Sequence, residues 1–388
     1  MTHTTDFDAI EIEHLREVGS VKWSTHPEAL GAFVAEMDFP PAPVITQALH
    51  EAVDVGLFGY LPDPLAHEMS HAYADWSSSV YGWDTPAERV RPLADVISGL
   101  QAAIEHFSRD GSPVILPTPA YMPFLTVPPS MGREVIQVPM ARDGDRYVYD
   151  LDALDAAFRA GGHLLILCNP HNPIGRVLER EEMVQIAEVV ERHGGRVFSD
   201  EIHAPLVFGD HVHVPYASTS EVAAEHTVTA ASASKAWNLP GMKCAQLILS
   251  NEADAARWAR VGHSFEHGAA NLGVIAAIAA FTRGRPWLQD VLGYLDGNRH
   301  LLRDLLAEHL PEVGYTPPEG TYLAWLDLRE LGLGDRPAQF LREKAGVALT
   351  DGTACGGVGA GFVRLNFATP RPILAQIVEQ MAEAVRSR

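Results

Sequence analysis

The sequence is poor in cysteine and contains no segment typical of secretion or membrane insertion. Its three cysteines, Cys168, Cys244 and Cys355, are widely spaced and form no metal-binding pair. This pattern fits a reducing compartment without a disulfide framework. The first residues lack a basic region followed by an apolar run, and apolar runs such as 272–281 are too short to span a bilayer. We therefore expect a cytoplasmic protein with no membrane partner and no metal site.

Basic residues are also scarce relative to acidic ones. The chain has 29 Lys and Arg against 50 Asp and Glu, a net charge of -21. Because nucleic-acid binding requires clustered Lys and Arg to displace counterions, this balance argues against a nucleic-acid partner. It leaves a small-molecule substrate open. A chain of 388 residues, of which 47% are hydrophobic, can form one large core or two smaller ones, and we expect a large domain with a smaller one.

Short apolar runs alternate with helical stretches through the middle of the chain, and no internal repeat is visible. Such alternation predicts an α/β fold in which helices cover both faces of a mainly parallel sheet. Ligands of such sheets bind at the carboxyl ends of the strands. The predicted strands are Val90–Leu93, Val114–Leu116, Val135–Val138, Leu164–Cys168, Val197–Ser199, Val228–Ala231 and Gln246–Leu249.

The rest of the pattern predicts three units. Residues 1–43 are interpreted as an extended N-terminal arm that packs against the small domain. Residues 44–286 form the large, cofactor-binding domain, and residues 287–388 form a small C-terminal α+β domain. Apolar periodicity predicts helices over 44–56, 65–81, 181–193 and 287–309, and strands over 321–328 and 362–367.

One lysine, Lys235, lies among small hydroxyl residues just before a turn. Ser232 and Ser234 flank it, and Lys243 follows the turn. Small neighbours allow an aromatic aldehyde to approach the backbone, and a lysine amine in a desolvated pocket can lose its proton and form a Schiff base. The two serines and Lys243 suit the phosphate of pyridoxal phosphate (PLP). The alternative is a loop with a purely structural role.

Asp200 lies where a predicted parallel strand meets its loop. A carboxylate there can pair with a protonated ring nitrogen and keep a bound cofactor an electron sink. A helix N-cap explains the same residue equally well. His203, three residues further on, can approach the same pocket or simply satisfy a backbone carbonyl.

Two further candidates follow other predicted strands. Asn172 belongs to the second of two Asn-Pro pairs, which enforce a defined, non-helical turn and favour a side chain that donates to a ring oxygen. A plain structural turn explains this segment less economically. Tyr121 lies among prolines and is suited to stacking on a flat ring, although a buried core tyrosine is the usual alternative.

The sequence has no glycine-rich phosphate loop. The amides of Val96 and Ile97, at the start of a helix that follows the first strand of the sheet, can instead cap a phosphate.

Arg364 stands in an otherwise apolar strand, where a guanidinium is costly unless it is paired. A substrate carboxylate can meet it with two parallel hydrogen bonds. The alternative is a salt bridge to an internal acid.

Together these residues resemble the fold-type I PLP enzymes, the aminotransferase class I and II superfamily, over nearly the whole chain. Residues 34–39, 169–173, 199–203 and 232–235 look like the cystathionine β-lyase, or carbon–sulfur lyase, branch. The resemblance implies a PLP-dependent transferase fold of type I, with a large domain built on a mainly parallel seven-stranded sheet and a smaller α+β domain. It also implies a homodimer with shared active sites.

The resemblance further implies a role for each candidate residue. Lys235 would carry the cofactor and the proton, and Arg364 would bind the substrate α-carboxylate. Asp200 would contact the pyridine nitrogen, Asn172 the ring hydroxyl and Tyr121 the ring face, while His203 would border the cofactor. The phosphate would be held by Ser232, Ser234, Lys243, Val96 and Ile97, and Tyr60 would reach the neighbouring subunit's phosphate. Two residues depart from the pattern. Glu36 stands where many relatives have Asp, and Lys243 stands where aminotransferases usually have Arg, whose bidentate grip on a phosphate Lys cannot reproduce.

The implied reaction is β-elimination from cystathionine or a cysteine S-conjugate, which yields a thiol, pyruvate and ammonia. An aminotransferase of the same fold is the enzymatic alternative. A regulatory binding protein, or a lyase with an added regulatory role, is the third hypothesis. The presence of Lys235, Asp200 and Arg364 weighs against a purely non-catalytic protein.

Overall fold

The computed structural model describes residues 6–388 of the chain. Its strands are β1 (Leu30–Gly31), β2 (Val90–Leu93), β3 (Val114–Thr118), β4 (Val135–Pro139), β5 (Ala141–Asp143), β6 (Arg146–Val148), β7 (Leu164–Cys168), β8 (Arg196–Asp200), β9 (Thr227–Ala231), β10 (Ala245–Leu249), β11 (Leu323–Asp327), β12 (Val347–Ala348), β13 (Thr350–Asp351) and β14 (Phe362–Asn366). Its α-helices are α1 (Ile12–Val18), α2 (Val21–Ser24), α3 (Pro43–Asp54), α4 (Asp63–Tyr81), α5 (Val96–Ala102), α6 (Met122–Ser130), α7 (Leu151–Arg159), α8 (Arg180–Arg192), α9 (Glu221–His226), α10 (Glu252–Val261), α11 (His263–Glu266), α12 (Asn271–Arg283), α13 (Arg285–His309), α14 (Pro337–Phe340) and α15 (Arg371–Arg386).

The large sheet contains seven strands in the order β2-β10-β9-β8-β7-β3-β4. Strand β10 is antiparallel to both of its neighbours, and the remaining pairs are parallel. Each apolar run that predicted a strand lies within one of these seven, so the mainly parallel seven-stranded sheet is confirmed. Strands β3, β7, β9 and β10 are buried along their whole length, which explains why their sequences are continuously apolar rather than alternating.

A smaller antiparallel sheet, in the order β11-β14-β13, lies in the C-terminal part of the chain. Strands β11 and β14 lie within the stretches 321–328 and 362–367 that predicted them. The predicted helix over 287–309 is contained in α13, which packs against α15. This region therefore has the expected mixture of strands and helices. The proposed domain boundaries after residues 43 and 286 stay predictions.

The N-terminal segment differs from its prediction. The extended arm expected over residues 1–43 instead contains the helices α1 and α2 and the short strand β1; residues 1–5 lie outside the described part. Leu15 and Trp23 are buried, so each short helix has an apolar side to pack. Gly19 ends α1 with a φ of 70°, a left-handed conformation that glycine adopts without strain. Strand β1 then pairs in parallel with β12.

The other helices agree with the apolar periodicity. The helices predicted after Pro43, over 65–81 and over 181–193 correspond to α3, α4 and α8. The apolar run 272–281 lies in α12, where most residues are buried, as expected for a core helix. Within residues 6–388, no helix is both long and apolar enough to cross a membrane.

The candidate residues follow strands that end at one edge of the large sheet. Strands β3, β7, β8 and β9 are parallel neighbours, so their carboxyl ends lie together. Tyr121 follows β3, Asn172 follows β7, Asp200 ends β8, and Lys235 follows β9. The order and direction of these strands therefore bring the four residues to the edge at which such sheets bind ligands.

Candidate active site

Lys235 occupies the loop between β9 and β10. Its Nζ donates to the carbonyl oxygen of Ala35 at 2.7 Å. Burial lowers the pKa of the Lys235 amine to about 8, and the positive charge of Arg364 lowers it as well, whereas Glu36 and Asp200 act in the opposite direction. An amine with this pKa is partly deprotonated near neutral pH, as a Schiff-base lysine or a general base requires.

The loop around Lys235 is held by its own polar groups. Ser232 Oγ donates to the carbonyl of Cys244 at 2.7 Å and accepts from the amide of Ser234 at 3.0 Å. A hydroxyl has one proton to donate, and Ser232 gives it to the backbone. Ser232 therefore shapes the loop in this arrangement, and its predicted contact with a phosphate stays a prediction. Ser234 is half-buried, and its predicted role stays a prediction.

Asp200 is buried at the end of β8, and its Oδ1 accepts from the amide of Ile202 at 3.0 Å. No helix begins after Asp200, so the N-cap alternative is wrong. Burial raises the pKa of the Asp200 carboxyl to about 7; the Ile202 amide and Lys235 lower it, and Glu201 raises it. A buried carboxyl of this kind gains most from a cationic partner, such as a protonated ring nitrogen.

Glu201, next to Asp200, belongs to a buried network that the sequence did not reveal. Its carboxylate accepts from Ser199 Oγ at 2.8 Å and from the amide of Tyr216 at 2.9 Å, and it lies 3.0 Å from His213 Nε2. These contacts hold the end of β8 in place. The hydrogen bonds of Glu201 therefore also fix the position of the neighbouring Asp200.

His203 is buried, and its ring meets the ring of Tyr322 edge-on at 5.9 Å between centroids. Burial, together with the charges of Lys235 and Arg364, lowers the pKa of His203 well below its ordinary value, so the ring is neutral. Within residues 6–388 its Nδ1 has no hydrogen-bond partner. The alternative in which His203 satisfies a backbone carbonyl is not observed in this part of the chain.

Arg364 and Asn172 are in direct contact. Arg364 Nη1 donates to Asn172 Oδ1 at 3.1 Å, and Nη2 donates to Phe33 O at 2.8 Å and to Thr350 Oγ1 at 3.2 Å. An arginine only donates, so Asn172 must turn its oxygen to Arg364 and keeps its Nδ2 as a donor for another group. The chain turns without helix or strand around Asn172, as its two Asn-Pro pairs predicted.

Arg364 has no counter-charge in the described part of the chain. Its side chain is 1% exposed, and no carboxylate within residues 6–388 forms a salt bridge with it. The alternative of an internal salt bridge is therefore wrong. Burial lowers the pKa of Arg364, and its Nε lacks an acceptor. A desolvated cation held only by neutral acceptors is suited to an incoming carboxylate.

Tyr121 directly precedes α6, and its ring meets Phe124 edge-on at 5.4 Å. The side chain is half-buried, so Tyr121 is not the fully buried core tyrosine of the alternative reading. Desolvation raises the pKa of its phenol, and the charges of Arg364, Asp200 and Asp95 also act on it, which places the ring beside the other candidates. Its predicted role in ring stacking stays a prediction.

The candidate phosphate site lies at the start of α5. Asp95 caps this helix by accepting from the amide of Ser98 at 2.9 Å, and its other oxygen pairs with Lys243 Nζ at 2.9 Å. Asp95 directly precedes Val96, so this ion pair holds Lys243 at the start of α5; the predicted phosphate contacts of Lys243, Val96 and Ile97 stay predictions. The charge of Lys243 is already matched by Asp95, so those two amides are the donors that remain for an anion.

Tyr60 is the one candidate that stays apart from this site within a single chain. It lies between α3 and α4 and is 93% exposed. Asn271 Nδ2 donates to the carbonyl of Gly59 at 2.8 Å and holds the segment in place. The predicted role of Tyr60 at the neighbouring subunit's phosphate stays a prediction.

The structure also adds residues that the sequence did not assign. Tyr322 Oη donates to Ala35 O at 2.9 Å, and Asn366 Nδ2 donates to the carbonyls of Val34 and Glu36, both at 2.6 Å. The motif 34–39 supported the family resemblance, but it carried no residue role. Tyr322 and Asn366 had no local signal, because their partners lie hundreds of residues away in the chain.

The described residues match a known family. Residues 34–380 match the family described as Aminotransferase class I and II. The chain belongs to this family. A cystathionine beta-lyase of Corynebacterium glutamicum is 37% identical to it, over 97% of this chain and 99% of that protein.

Solved structures agree with the family in both branch and fold. A crystal structure from Corynebacterium diphtheriae, described as that of a PLP-dependent beta-cystathionase, superposes with a TM-score of 0.92 at 39% identity. It covers 97% of this chain and 98% of that one. Cystalysin from Treponema denticola, whose crystal structure contains a pyridoxal 5'-phosphate cofactor, superposes with a TM-score of 0.91 at 26% identity and covers 98% and 99%. The PLP-dependent fold of type I is therefore confirmed, as is the resemblance to the cystathionine β-lyase branch.

The residues at the sheet edge fit PLP on chemical grounds. Lys235 offers a desolvated amine for the aldehyde, and Asp200 offers a buried carboxyl for the ring nitrogen. Two buried polar atoms have no hydrogen-bond partner within residues 6–388: Thr118 Oγ1, at the end of β3, and His203 Nδ1, which follows β8. The first amides of α5 remain for the phosphate. This set of donors and acceptors is the one that the cofactor requires.

Proposed function

We propose that the protein is a PLP-dependent carbon–sulfur β-lyase that cleaves cystathionine or related cysteine S-conjugates to a thiol, pyruvate and ammonia. The observation that carries this proposal is a site in which the desolvated amine of Lys235 lies near Asp200 and near Arg364, a buried cation that pairs with no carboxylate among residues 6–388. The 37% identity to the Corynebacterium glutamicum cystathionine beta-lyase, over nearly the full length of both chains, supports the choice of branch.

Each residue has a defined task in this reaction. Arg364 binds the α-carboxylate, which orients the amino acid, and Asn172 supplies a further donor through Nδ2. Lys235, as a neutral amine, removes the proton from Cα; positioned bases of this kind contribute about 10²–10⁴-fold. PLP, when bound at Lys235 and Asp200, would supply an electron sink for the pair that remains at Cα. Asp200 keeps the ring nitrogen protonated, and the thiolate then leaves from Cβ.

The products distinguish a lyase from an aminotransferase. With L-cystathionine and no added keto acid, we expect equal amounts of pyruvate and free thiol, measured with a lactate dehydrogenase assay and a thiol reagent. L-alanine, which has no leaving group on Cβ, serves as the control substrate and should give no pyruvate under the same conditions. A strict requirement for a keto-acid acceptor, without release of thiol, would instead establish an aminotransferase.

We also propose that the protein acts as a homodimer in which Tyr60 completes the neighbouring subunit's site. Val55, Phe58 and Tyr60 are 79%, 67% and 93% exposed along one short stretch, and Val53 at its start is 48% exposed. Apolar and aromatic side chains that cluster on a surface are typical of protein interfaces. This exposure supports a subunit contact beside the site.

Mixed dimers test the proposed position of Tyr60. Lys235→Ala and Tyr60→Ala proteins should each be impaired alone, whereas their heterodimer contains one site with both residues intact. Subunit exchange should therefore restore about half of the activity of the unmodified enzyme in each heterodimer. If Tyr60 acted within its own chain, no heterodimer would contain an intact site. The activity of the mixed proteins would then not exceed that of the two variants measured separately.

The protein's place of action is part of this proposal. All three cysteines, Cys168, Cys244 and Cys355, are buried and unpaired. Burial raises the pKa of each thiol, which keeps it in the unreactive form. These features support a reducing compartment, and we place the enzyme in the cytoplasm.

A further inference from the structure

The segment from Phe33 to Phe39, which we name the strap, runs between Lys235 and Arg364 without helix or strand. Buried backbone groups outside regular structure need other partners. Here distant side chains provide them, and every strap carbonyl except that of Asp38 accepts a side-chain hydrogen bond. The donors are Arg364 and Thr350 to Phe33, Asn366 to Val34 and Glu36, Lys235 and Tyr322 to Ala35, and Asn238 to Met37 and Phe39.

The two ends of the strap are firmly anchored. Asn238 also accepts from the amide of Met37 at 2.9 Å. The carboxylate of Asp38 is buried and receives Lys22 Nζ and Trp23 Nε1, each at 2.7 Å. Breaking such a buried ion pair is strongly unfavourable. The carbonyl of Ala35, in the middle of the strap, therefore has a well-defined position.

The oxygen of Ala35 has two donors, Lys235 Nζ at 2.7 Å and Tyr322 Oη at 2.9 Å. A carbonyl oxygen has two lone pairs, so both are used. Tyr322 is fully buried, and burial raises the pKa of its phenol, so the hydroxyl remains a donor across the working pH range. A neutral lysine amine has two hydrogens and one lone pair. The bond to Ala35 uses one of these hydrogens and therefore restricts the directions in which the Lys235 lone pair can point.

We propose that Tyr322 is a positioning residue for proton transfer: its hydroxyl orients the carbonyl of Ala35, and that carbonyl in turn orients the amine of Lys235. This inference rests on the proposed role of Lys235 as the base that removes the α-proton. Tyr322 acts through the strap and does not itself exchange a proton.

Loss of the Tyr322 hydroxyl changes the carbonyl in two ways. The oxygen keeps only one donor, so it is freer to rotate, and it becomes a stronger acceptor for the lysine ammonium. The protonated form of Lys235 is then favoured, and its pKa rises. The other groups that act on this amine are unchanged by the substitution: Arg364 lowers its pKa, Glu36 and Asp200 raise it, and His203 is neutral.

The first test uses the holoenzyme and L-alanine, whose α-proton Lys235 can exchange although no thiol can leave. In D₂O, followed by proton NMR, Tyr322→Phe should slow α-proton exchange roughly 2- to 10-fold, the effect of one ordinary hydrogen bond. The affinity for L-alanine, read from the cofactor absorbance, should be unchanged. Tyr315→Phe is the matched control, because Tyr315 Oη also donates to a backbone carbonyl, that of Arg299, at 3.1 Å.

The second test does not depend on activity. Cofactor-free protein captures PLP through the neutral amine of Lys235, so the capture rate, followed by absorbance, should level off above the pKa of that amine. In Tyr322→Phe this pH should be higher than in the unmodified protein and in Tyr315→Phe. Thermal unfolding of all three proteins shows whether the measurements are made on folded material.

The outcomes separate this inference from the proposed function. Unchanged exchange and an unchanged capture profile in Tyr322→Phe would overturn the role of Tyr322. Equal losses in Tyr322→Phe and Tyr315→Phe, or a loss of stability with no shift in the capture profile, would also overturn it in favour of a merely structural role. If the unmodified enzyme exchanged the α-proton of L-alanine but released no thiol from cystathionine, the lyase proposal would fail and the positioning role would stand.

Discussion

Replacement of Lys235 by Ala should abolish the borohydride-reducible adduct with PLP and lower thiol release from cystathionine by at least about 10²–10⁴-fold. The lower bound is the typical contribution of a positioned base, and the loss of the covalent anchor adds to it. The physical reason is the desolvated amine, whose pKa burial lowers to about 8. Mass spectrometry of the reduced protein and a thiol assay measure the two effects.

The other lysines provide the controls for this experiment. Lys22 is fully buried in an ion pair with Asp38, and Lys243 pairs with Asp95. Lys344 is exposed, so Lys344→Ala should keep both the adduct and the activity. An adduct of the same size on the Lys235→Ala protein, located at Lys243 or Lys344, would contradict the assignment of the cofactor lysine.

Replacement of Arg364 by Ala should lower kcat/KM about 10²–10⁴-fold, because two charge-assisted hydrogen bonds to the substrate carboxylate contribute roughly 1.5–3 kcal/mol each. The effect should appear as weaker binding of the amino acid. Absorbance titration of the holoenzyme with L-alanine measures the affinity. Arg364→Lys should recover only part of it, since lysine retains the charge but lacks the planar fork.

A ligand without a carboxylate distinguishes recognition from general damage. L-alaninamide should bind equally weakly to the unmodified enzyme and to Arg364→Ala, because neither can use Arg364 to hold it. Arg342→Ala, which removes an exposed arginine, should leave all affinities unchanged. If Arg364→Ala bound L-alanine as well as the unmodified enzyme does, Arg364 would not be the carboxylate-binding residue.

Much of the architecture was predictable from local sequence. All seven strands of the large sheet were found because each contains a short apolar run, and four of them, β3, β7, β9 and β10, are buried along their whole length. The helices α3, α4, α8 and α13 were found from their apolar periodicity. The N-terminal arm was misread, because α1 and α2 are too short to show a helical period and depend on burial of Leu15 and Trp23.

The site was predictable to the extent that it lies directly after strands. Asp200, Asn172 and Lys235 could be expected to lie together because the carboxyl ends of parallel strands meet at one edge, while their roles at a cofactor stay predictions. The contacts of Ser232 could not be read from the sequence, since its hydroxyl donates to the carbonyl of Cys244, which lies on the far side of the turn. The alternatives for Asp200 and Arg364 also required coordinates, which show no helix after the first and no acid beside the second.

The sequence by itself therefore determined the fold class, the family and the chemical identity of the central residues, because these depend on short patterns of residue type and spacing. Only the tertiary structure decided how Lys235 is held. Its amine meets Ala35, 200 positions away, and Tyr322 meets the same oxygen from 287 positions away. Contacts of this kind arise when distant segments pack, and no local pattern in the chain records them.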